Sequence, residues 1–290
     1  MTYRKKPSWL RMPQRGSAQA ARTRGVLGKY SLSTVCRQAM CPNQDHCFQR
    51  GTATFLILGE RCTRNCSYCA IEGACGPLPP PDGDEPGRVA EASREMGLNY
   101  VVVTSVTRDD LPDGGAGHFA AVIAALRREI PEAGIEVLVP DFQGNRLSLK
   151  TIAEAGPDVF NHNIETVTGL FEEVRPGASY DLSLRILRDY GSMVNSPKVK
   201  SGLMLGMGET REQLIGALRD LRRAEVSMLT MGQYLQPSRR HWPVHRYLHP
   251  DEFEELRETA LGMGFDSVAS GPLVRSSFHA DETYSDRAHI

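Results

Sequence analysis

Strand-like and helix-like segments alternate along most of this chain, and that alternation limits the folds open to it. Six runs rich in β-branched and apolar residues stand out: Thr52–Leu58, Tyr100–Val106, Ile135–Pro140, Asp158–Asn163, Val199–Leu205 and Val226–Leu235. Their near-continuous apolar character suits parallel strands covered on both faces. Gly87–Met96, Gly117–Glu129, Leu147–Ala155, Tyr180–Tyr190, Thr210–Ala224 and Pro250–Gly262 read as helices. Eight strand–helix units would close a barrel, so six predict an α/β fold of the partial (βα)6 TIM-barrel type. A doubly wound sheet is the competing arrangement. In both, chemistry gathers in the loops after the carboxyl ends of strands, and here those loops carry polar residues after nearly every strand.

The loop after the first strand holds cysteines. Cys62, Cys66 and Cys69 are spaced C-x3-C-x2-C, and an earlier group, Cys36, Cys41 and Cys47, is spaced C-x4-C-x5-C. Three chemistries compete for them. Disulfides could pair all six. However, the basic N-terminus lacks the apolar core of a secretion signal, which places the chain in a reducing cytoplasm where disulfides are rare. Zinc sites complete a tetrahedron, mostly from pairs of cysteines, whereas these ligands come in threes with His46 the one histidine nearby. Iron–sulfur clusters fit threes better: a cubane held by three thiolates keeps one iron open for a small molecule. The seventh cysteine, Cys75, matches no ligand position and reads as a free thiol.

A 290-residue chain that is 40% hydrophobic can bury a large core, and its net charge of −1 gives no field to attract nucleic acid. No apolar run of eighteen residues is present to span a membrane. Charge is uneven at the start, where Arg4, Lys5, Lys6, Arg11, Arg15, Arg22, Arg24 and Lys29 stand without an acid. Such a run reads as a solvated arm or as a contact for an acidic partner. Asp109-Asp110 reads as a salt-bridge or helix-entry pair rather than a metal site. His118, His162 and His245 could carry protons, but read rather as hydrogen-bonding residues at the barrel rim.

Several of these residues carry a resemblance. Cys62-Thr-Arg-Asn-Cys66-Ser-Tyr68-Cys69 resembles the C-x3-C-x-aromatic-C loop of radical S-adenosylmethionine enzymes, and Gly202-x-Met204-x-Gly206-x-x-Glu209 resembles their fifth-strand pattern. The first triad, Thr104-SVTRDDLPDGGAGHF, Asn161-HNIET, Arg175-PGASY, Tyr234-LQPS and Arg275-SSF together resemble the lipoyl synthase family from about Pro7 to Ala280.

The resemblance implies two [4Fe–4S] clusters. The one on Cys62, Cys66 and Cys69 would bind S-adenosylmethionine through its open iron and cleave it reductively to a 5′-deoxyadenosyl radical. That radical abstracts hydrogen from unactivated carbon, a step beyond the reach of protein acids and bases. The auxiliary cluster, on Cys36, Cys41, Cys47 and a serine (Ser277 rather than Ser276), would supply sulfur. An oxygen ligand suits soft iron poorly, which fits a ligand meant to leave. Phe278 stands where the family typically has tyrosine.

Tyr68, Thr104, Ser105, Asn163, Glu165, Arg175, Gly202, Gly206 and Glu209 match positions that contact S-adenosylmethionine. Asn163 and Glu165 suit ribose hydroxyls, and Arg175 suits a carboxylate. Outside a structural context, Gly206 and Gly208 could equally cap strand five and open the next helix, and Glu209 could sit in that helix's first turn.

The implied reaction is insertion of two sulfur atoms at C6 and C8 of an octanoyl chain on a lysine. The acceptor is a lipoyl carrier protein (a lipoyl domain or a glycine cleavage H protein), and the electron donor is of the ferredoxin or flavodoxin kind. Residues 1–50 are then an extension bearing the auxiliary triad, 51–265 the barrel, and 266–290 a tail bearing Arg-Ser-Ser. A related sulfur-inserting enzyme with another acceptor, and a non-catalytic electron-transfer protein, are the alternatives.

Overall fold

A computed structural model describes residues 5–11, 17–195 and 198–280. Arg4 and Arg15 of the basic run, and the end of the tail beyond Ala280, lie outside the described residues. The chain forms two compact units.

The first unit comprises residues 14–64 and 70–160. It opens with helix α1 (Ala18–Lys29), where the Ser17 hydroxyl accepts from the amide of Ala20. This corrects the expectation of a solvated arm for residues 18–29. Thr23, Val26 and Leu27 are buried, Thr23 donates to the Phe48 carbonyl, and Arg24 and Lys29 pair with Asp45 and Glu95. The run was basic in composition, but one face of it is apolar enough to dock.

Next come β1 (Ser33–Thr34), α2 (Val35–Gln38) and α3 (Gln44–Gln49), followed by β2 (Thr54–Ile57). The short strands β3 (Arg61–Cys62) and β4 (Glu72–Gly73) pair with each other. Helix α4 (Glu85–Met96) begins with proline in its first turn and ends at left-handed Gly97, the expected asymmetry of helix ends. Strand β5 (Tyr100–Ser105), α5 (Ala116–Glu129), β6 (Gly134–Leu138) and α6 (Arg146–Ala155) complete the pattern, with β7 (Val159–Asn161) leading out. Strand β1 runs antiparallel to β2, and β2, β5 and β6 are parallel neighbours in chain order. Phe55, Ile57, Val101, Val103, Ile135 and Val137 of these strands are fully buried, as are Phe119, Ile123 and Leu126 of α5.

The second unit comprises residues 65–69 and 161–280, with the described N-terminal residues 5–11. Its elements are α7 (Thr168–Val174), α8 (Tyr180–Met193), β8 (Val199–Leu205), α9 (Arg211–Arg223), β9 (Met228–Gln233), α10 (Pro250–Gly262) and β10 (Ser267–Gly271). Reciprocal capping boxes start α9 (Thr210 with Gln213) and α10 (His249 with Glu252). Strands β8, β9 and β10 are parallel neighbours.

The fold is α/β with a mostly parallel sheet, of the partial TIM-barrel type, and the six predicted strands are all present. Strands β1, β3, β4 and β10 and helices α1, α2, α3 and α7 go beyond the prediction. Strand β10 (SVASG) is short and weakly apolar, which hid it. No helix among the described residues is long and apolar enough to cross a membrane.

Candidate functional site

The loop carrying Cys62, Cys66 and Cys69 is held separately in each unit. In the first, the chain leaves β2 through Leu58 and Gly59, both in the left-handed region. The carbonyl of Leu58 accepts from Arg108, and its amide donates to Glu85. Pairing of β3 with β4 then fixes Cys62, whose carbonyl accepts from the Ala74 amide at 2.8 Å. The amide of Arg64 points at the Cys62 Sγ, 3.4 Å away. The Arg64 guanidinium is almost fully buried and makes two bidentate pairs, to Asp109 (2.7 and 2.9 Å) and Asp141 (2.5 and 2.6 Å). Burial alone would lower its pKa, but the two carboxylates more than offset this and keep it charged. Asp109 and Asp110 are thus ion-pair residues, the latter bonded to Arg108.

In the second unit, Ser67 donates from its amide to the Val174 carbonyl and accepts from the Trp242 amide at 2.7 Å. Tyr68 packs on a buried group of Val174, Met207 and Tyr234, with Trp242 and Val244 alongside. Trp242 donates from its indole to Met207, and Tyr234 from its hydroxyl to Trp242. The sequence marked Tyr234 as a strand-end residue but gave no sign that Trp242 would tie the segment beyond it to the cysteine loop.

Glu165 is the most unusual residue near Tyr68. It holds φ of 67°, a left-handed conformation that costs a non-glycine residue about 1–3 kcal/mol and concentrates at functional sites. Its amide donates to Gly202 and its carbonyl accepts from Met204, which fixes the outlier against β8. Burial raises its carboxyl pKa, with Arg175 and hydrogen bonds from Asn163 and Tyr68 opposing the shift. Burial likewise pushes the Tyr68 phenol well above its ordinary value, and the Glu165 charge adds to it. Arg175 is buried over the Phe171 ring and donates to the Asn163 carbonyl. Its Nε is buried with no partner among the described residues, a donor available to a ligand.

Gly202 is glycine because a Cβ there would lie 2.6 Å from Thr230 Oγ1 and 2.8 Å from Asn163 Oδ1. Gly206 has φ of 90°, and a Cβ would meet Arg246 O at 2.3 Å. The Glu209 carboxylate accepts from the amides of Gly206 and Met207, so it braces the loop after β8 ahead of α9.

The tail reaches this same group. Asn161 donates to the Ser276 hydroxyl at 2.7 Å, and that hydroxyl donates to Asn163 Oδ1 at 3.2 Å. Ser276 thereby accepts from one and donates to the other of the asparagines flanking His162, which itself is buried against Ser183. His118 pairs with Glu85, and His245 stacks on Trp242. All three histidines have hydrogen-bonding or packing roles.

In the first unit, at the end of β5, Thr104 donates to Leu138, while the Ser105 hydroxyl is buried without a partner among the described residues. Cys36 lies in α2 and Cys47 in α3, with Cys41 between them. Burial pushes the Cys36 thiol up to about 11 and that of Cys47 up to about 12, with Cys41 adding to both. The three thiols therefore sit close enough to influence one another. No cysteine is in a disulfide, so that reading of the spacing is set aside.

The fold and these residues define a class. The sequence model of the Radical SAM superfamily matches residues 56–221, more than half of the chain. Among solved structures, methylornithine synthase superposes with a TM-score of 0.56 over 88% of this chain and 82% of its own, at 17% identity, a likeness of fold alone. Relatives in sequence are far closer. Lipoyl synthase of Chlorobium phaeovibrioides is 52% identical over 95% of this chain and 96% of its own length. That of Actinobacillus succinogenes is 50% identical over 95% and 86%. The chain belongs to the lipoyl synthase family.

Its activity is that of the family, radical S-adenosylmethionine-dependent insertion of two sulfur atoms into an octanoyl chain. Membership of the superfamily brings a [4Fe–4S] cluster and S-adenosylmethionine with it. The residues present fit these groups. Two sets of three uncrosslinked thiols supply the donors a cubane takes, and the buried, unpartnered Arg175 Nε and Ser105 Oγ are polar atoms that a ligand would satisfy. Among the described residues no three His, Cys, Asp or Glu side chains converge on a point as ligands of one ion do. A cubane differs, since each of its thiolates binds a separate iron.

Proposed function

We propose that Cys62, Cys66 and Cys69 hold the cluster that binds S-adenosylmethionine, and that Cys36, Cys41, Cys47 and Ser277 hold an auxiliary [4Fe–4S] cluster consumed as the sulfur source. When bound, the first cluster supplies the electron that cleaves S-adenosylmethionine. The protein's part is binding and orientation. Glu165 and Asn163 take the ribose, Arg175 takes a carboxylate through its spare Nε, and Thr104 and Ser105 lie near the methionine amino group. Tyr68 presents its phenol to Glu165, and Gly202, Gly206 and Glu209 shape the β8 edge for the adenine. One observation carries the reading: a strained left-handed Glu165, hydrogen-bonded by Asn163 and Tyr68 beside a buried, incompletely bonded arginine. A purely structural carboxylate has no need of that strain.

In this reading residues 1–50 are the auxiliary-cluster extension, 51–265 the barrel and 266–290 the tail. The acceptor is an octanoylated lipoyl carrier protein, either a lipoyl domain or an H protein, in the cytoplasm, with a ferredoxin or flavodoxin as electron donor. The exposed cations Lys5, Lys6 and Arg11 attract an acidic carrier surface over about one Debye length.

Anaerobic reconstitution tests the reading. Two clusters require about eight irons per chain, one cluster should remain when Cys62, Cys66 and Cys69 are all replaced by alanine, and octanoylated carrier should yield lipoyl product. Stoichiometric zinc in anaerobically purified, unreconstituted protein, with no cluster absorbance, would contradict it.

A further inference from the structure

Arg64 lies between the first two cysteines of the loop, where spacing alone asks nothing of the residue. Its side chain is nevertheless almost fully buried and held by four hydrogen bonds. Both faces of the guanidinium fork are occupied by carboxylates, Asp109 from the loop after β5 and Asp141 from the loop after β6. Asp141 is itself 1% exposed and accepts from the Gln143 amide. The neighbouring Thr63 repeats the attachment: its amide and hydroxyl both donate to the Thr107 carbonyl, and the same hydroxyl accepts from the Asp109 amide.

The chain immediately after Cys62 is therefore bonded to two loops at strand carboxyl ends. The result of that bonding is the aim of one N–H: the Arg64 amide faces the Cys62 Sγ. Burying one arginine with two aspartates carries a large desolvation cost. A loop needing only to turn would not require it, and four exposed hydrogen bonds would serve as well.

We propose that Arg64 is a positioning residue for the cluster on Cys62, Cys66 and Cys69. Locked between Asp109 and Asp141, it fixes the backbone after Cys62 so that this sulfur is presented to iron and faced by the Arg64 amide before the cluster is built. Groups that orient a ligand in this way typically change metal affinity or activity by about 10–100-fold when removed. The inference rests on the assignment of these three cysteines to the cluster that binds S-adenosylmethionine.

The test uses Arg64→Lys, which keeps the charge but loses the planar fork, and Asp109→Asn, which leaves the Asp141 half intact. Iron release to a chelator is timed in each reconstituted protein, and the spectrum of the reduced clusters is recorded with and without S-adenosylmethionine. In Arg64→Lys, half of the iron should leave about 10–100-fold faster than in wild type, and the rest at the wild-type rate. The spectral change on adding S-adenosylmethionine should be lost. Asp109→Asn should fall between.

Release within about twofold of wild type for both halves, with the spectral change retained, would overturn the proposal. Equal acceleration of both halves in both variants would also overturn it, since Arg64 would then support the fold and not this one cluster. Cys62→Ala separates the inference from the reading beneath it. If that variant holds as much iron as wild type, the cluster assignment fails and the inference falls with it.

Discussion

Gly232→Ala should disable sulfur insertion while sparing cleavage of S-adenosylmethionine. Gly232 lies in β9, opposite Met204 of β8 and Gly271 of β10, and a Cβ there would stand 2.0 Å from the Val274 carbonyl oxygen. Real Cβ contacts stay beyond 3.0 Å, so Val274 must retreat by about 1 Å, and side-chain rotation cannot relieve a backbone clash. The segment is not free to move alone. The Val274 amide is bonded to Gly271 and that of Phe278 to Arg275, and Ser276 is bonded to Asn161 and Asn163.

Overpacking of this kind costs about 1–3 kcal/mol, and a misplacement of about 1 Å at a reacting group can cost about 100-fold in rate. The assay is a single-turnover measurement of lipoyl product beside 5′-deoxyadenosine release, with a thermal melt to report folding. Gly216→Ala is the control. It sits within α9 with nothing inside 4 Å of its Cβ, so it should stabilise by up to about 1 kcal/mol and leave product formation unchanged. Wild-type product formation by Gly232→Ala would refute the reasoning, because the tail could then tolerate displacement and Ser277 would not need its place.

Two further outcomes are expected. Burial raises the Glu165 carboxyl above its ordinary 4.5, so the folded state binds that proton more tightly than the unfolded chain. The corresponding stability is complete below the ordinary pKa and is lost as pH rises through the folded value. In cluster-free protein, Glu165→Gln should therefore melt higher than wild type near neutral pH. The gap should close on acidification, and a variant less stable than wild type across that range would contradict the burial argument. Octanoyl-lysine on a folded carrier should react much faster than free octanoate, because remote contacts position a mobile chain. Equal rates would remove the carrier requirement, and a salt-insensitive rate with limiting carrier would remove only the role given to Lys5, Lys6 and Arg11.

Much of the strand–helix order could be read from the residues, since buried parallel strands such as β5 (YVVVTS) and β8 (VKSGLML) announce themselves by continuous apolar character. Strand β10 did not, because a short strand with two serines and a glycine draws its stability from pairing with β9. The cysteine spacing pointed to the chemistry directly, and Asn163, Glu165 and Arg175 were picked out by motif. Their arrangement was not legible. The left-handed turn at Glu165 depends on bonds to Gly202 and Met204, nearly forty residues away in sequence. The role of Arg64 is hidden in the sequence for a related reason: its partners Asp109 and Asp141 are loop acids far from it in the chain until the fold brings them together. An aspartate directly after a strand-ending Val-Pro was the available signal.

The central claim, that one triad serves the radical step and the other the sulfur, is tested most directly by replacing Cys36, Cys41 and Cys47 with alanine. The reconstituted variant is given S-adenosylmethionine, reductant and octanoylated carrier, and 5′-deoxyadenosine and lipoyl product are counted together. The account predicts continued 5′-deoxyadenosine formation with no lipoyl product. Lipoyl product at the wild-type rate would contradict it.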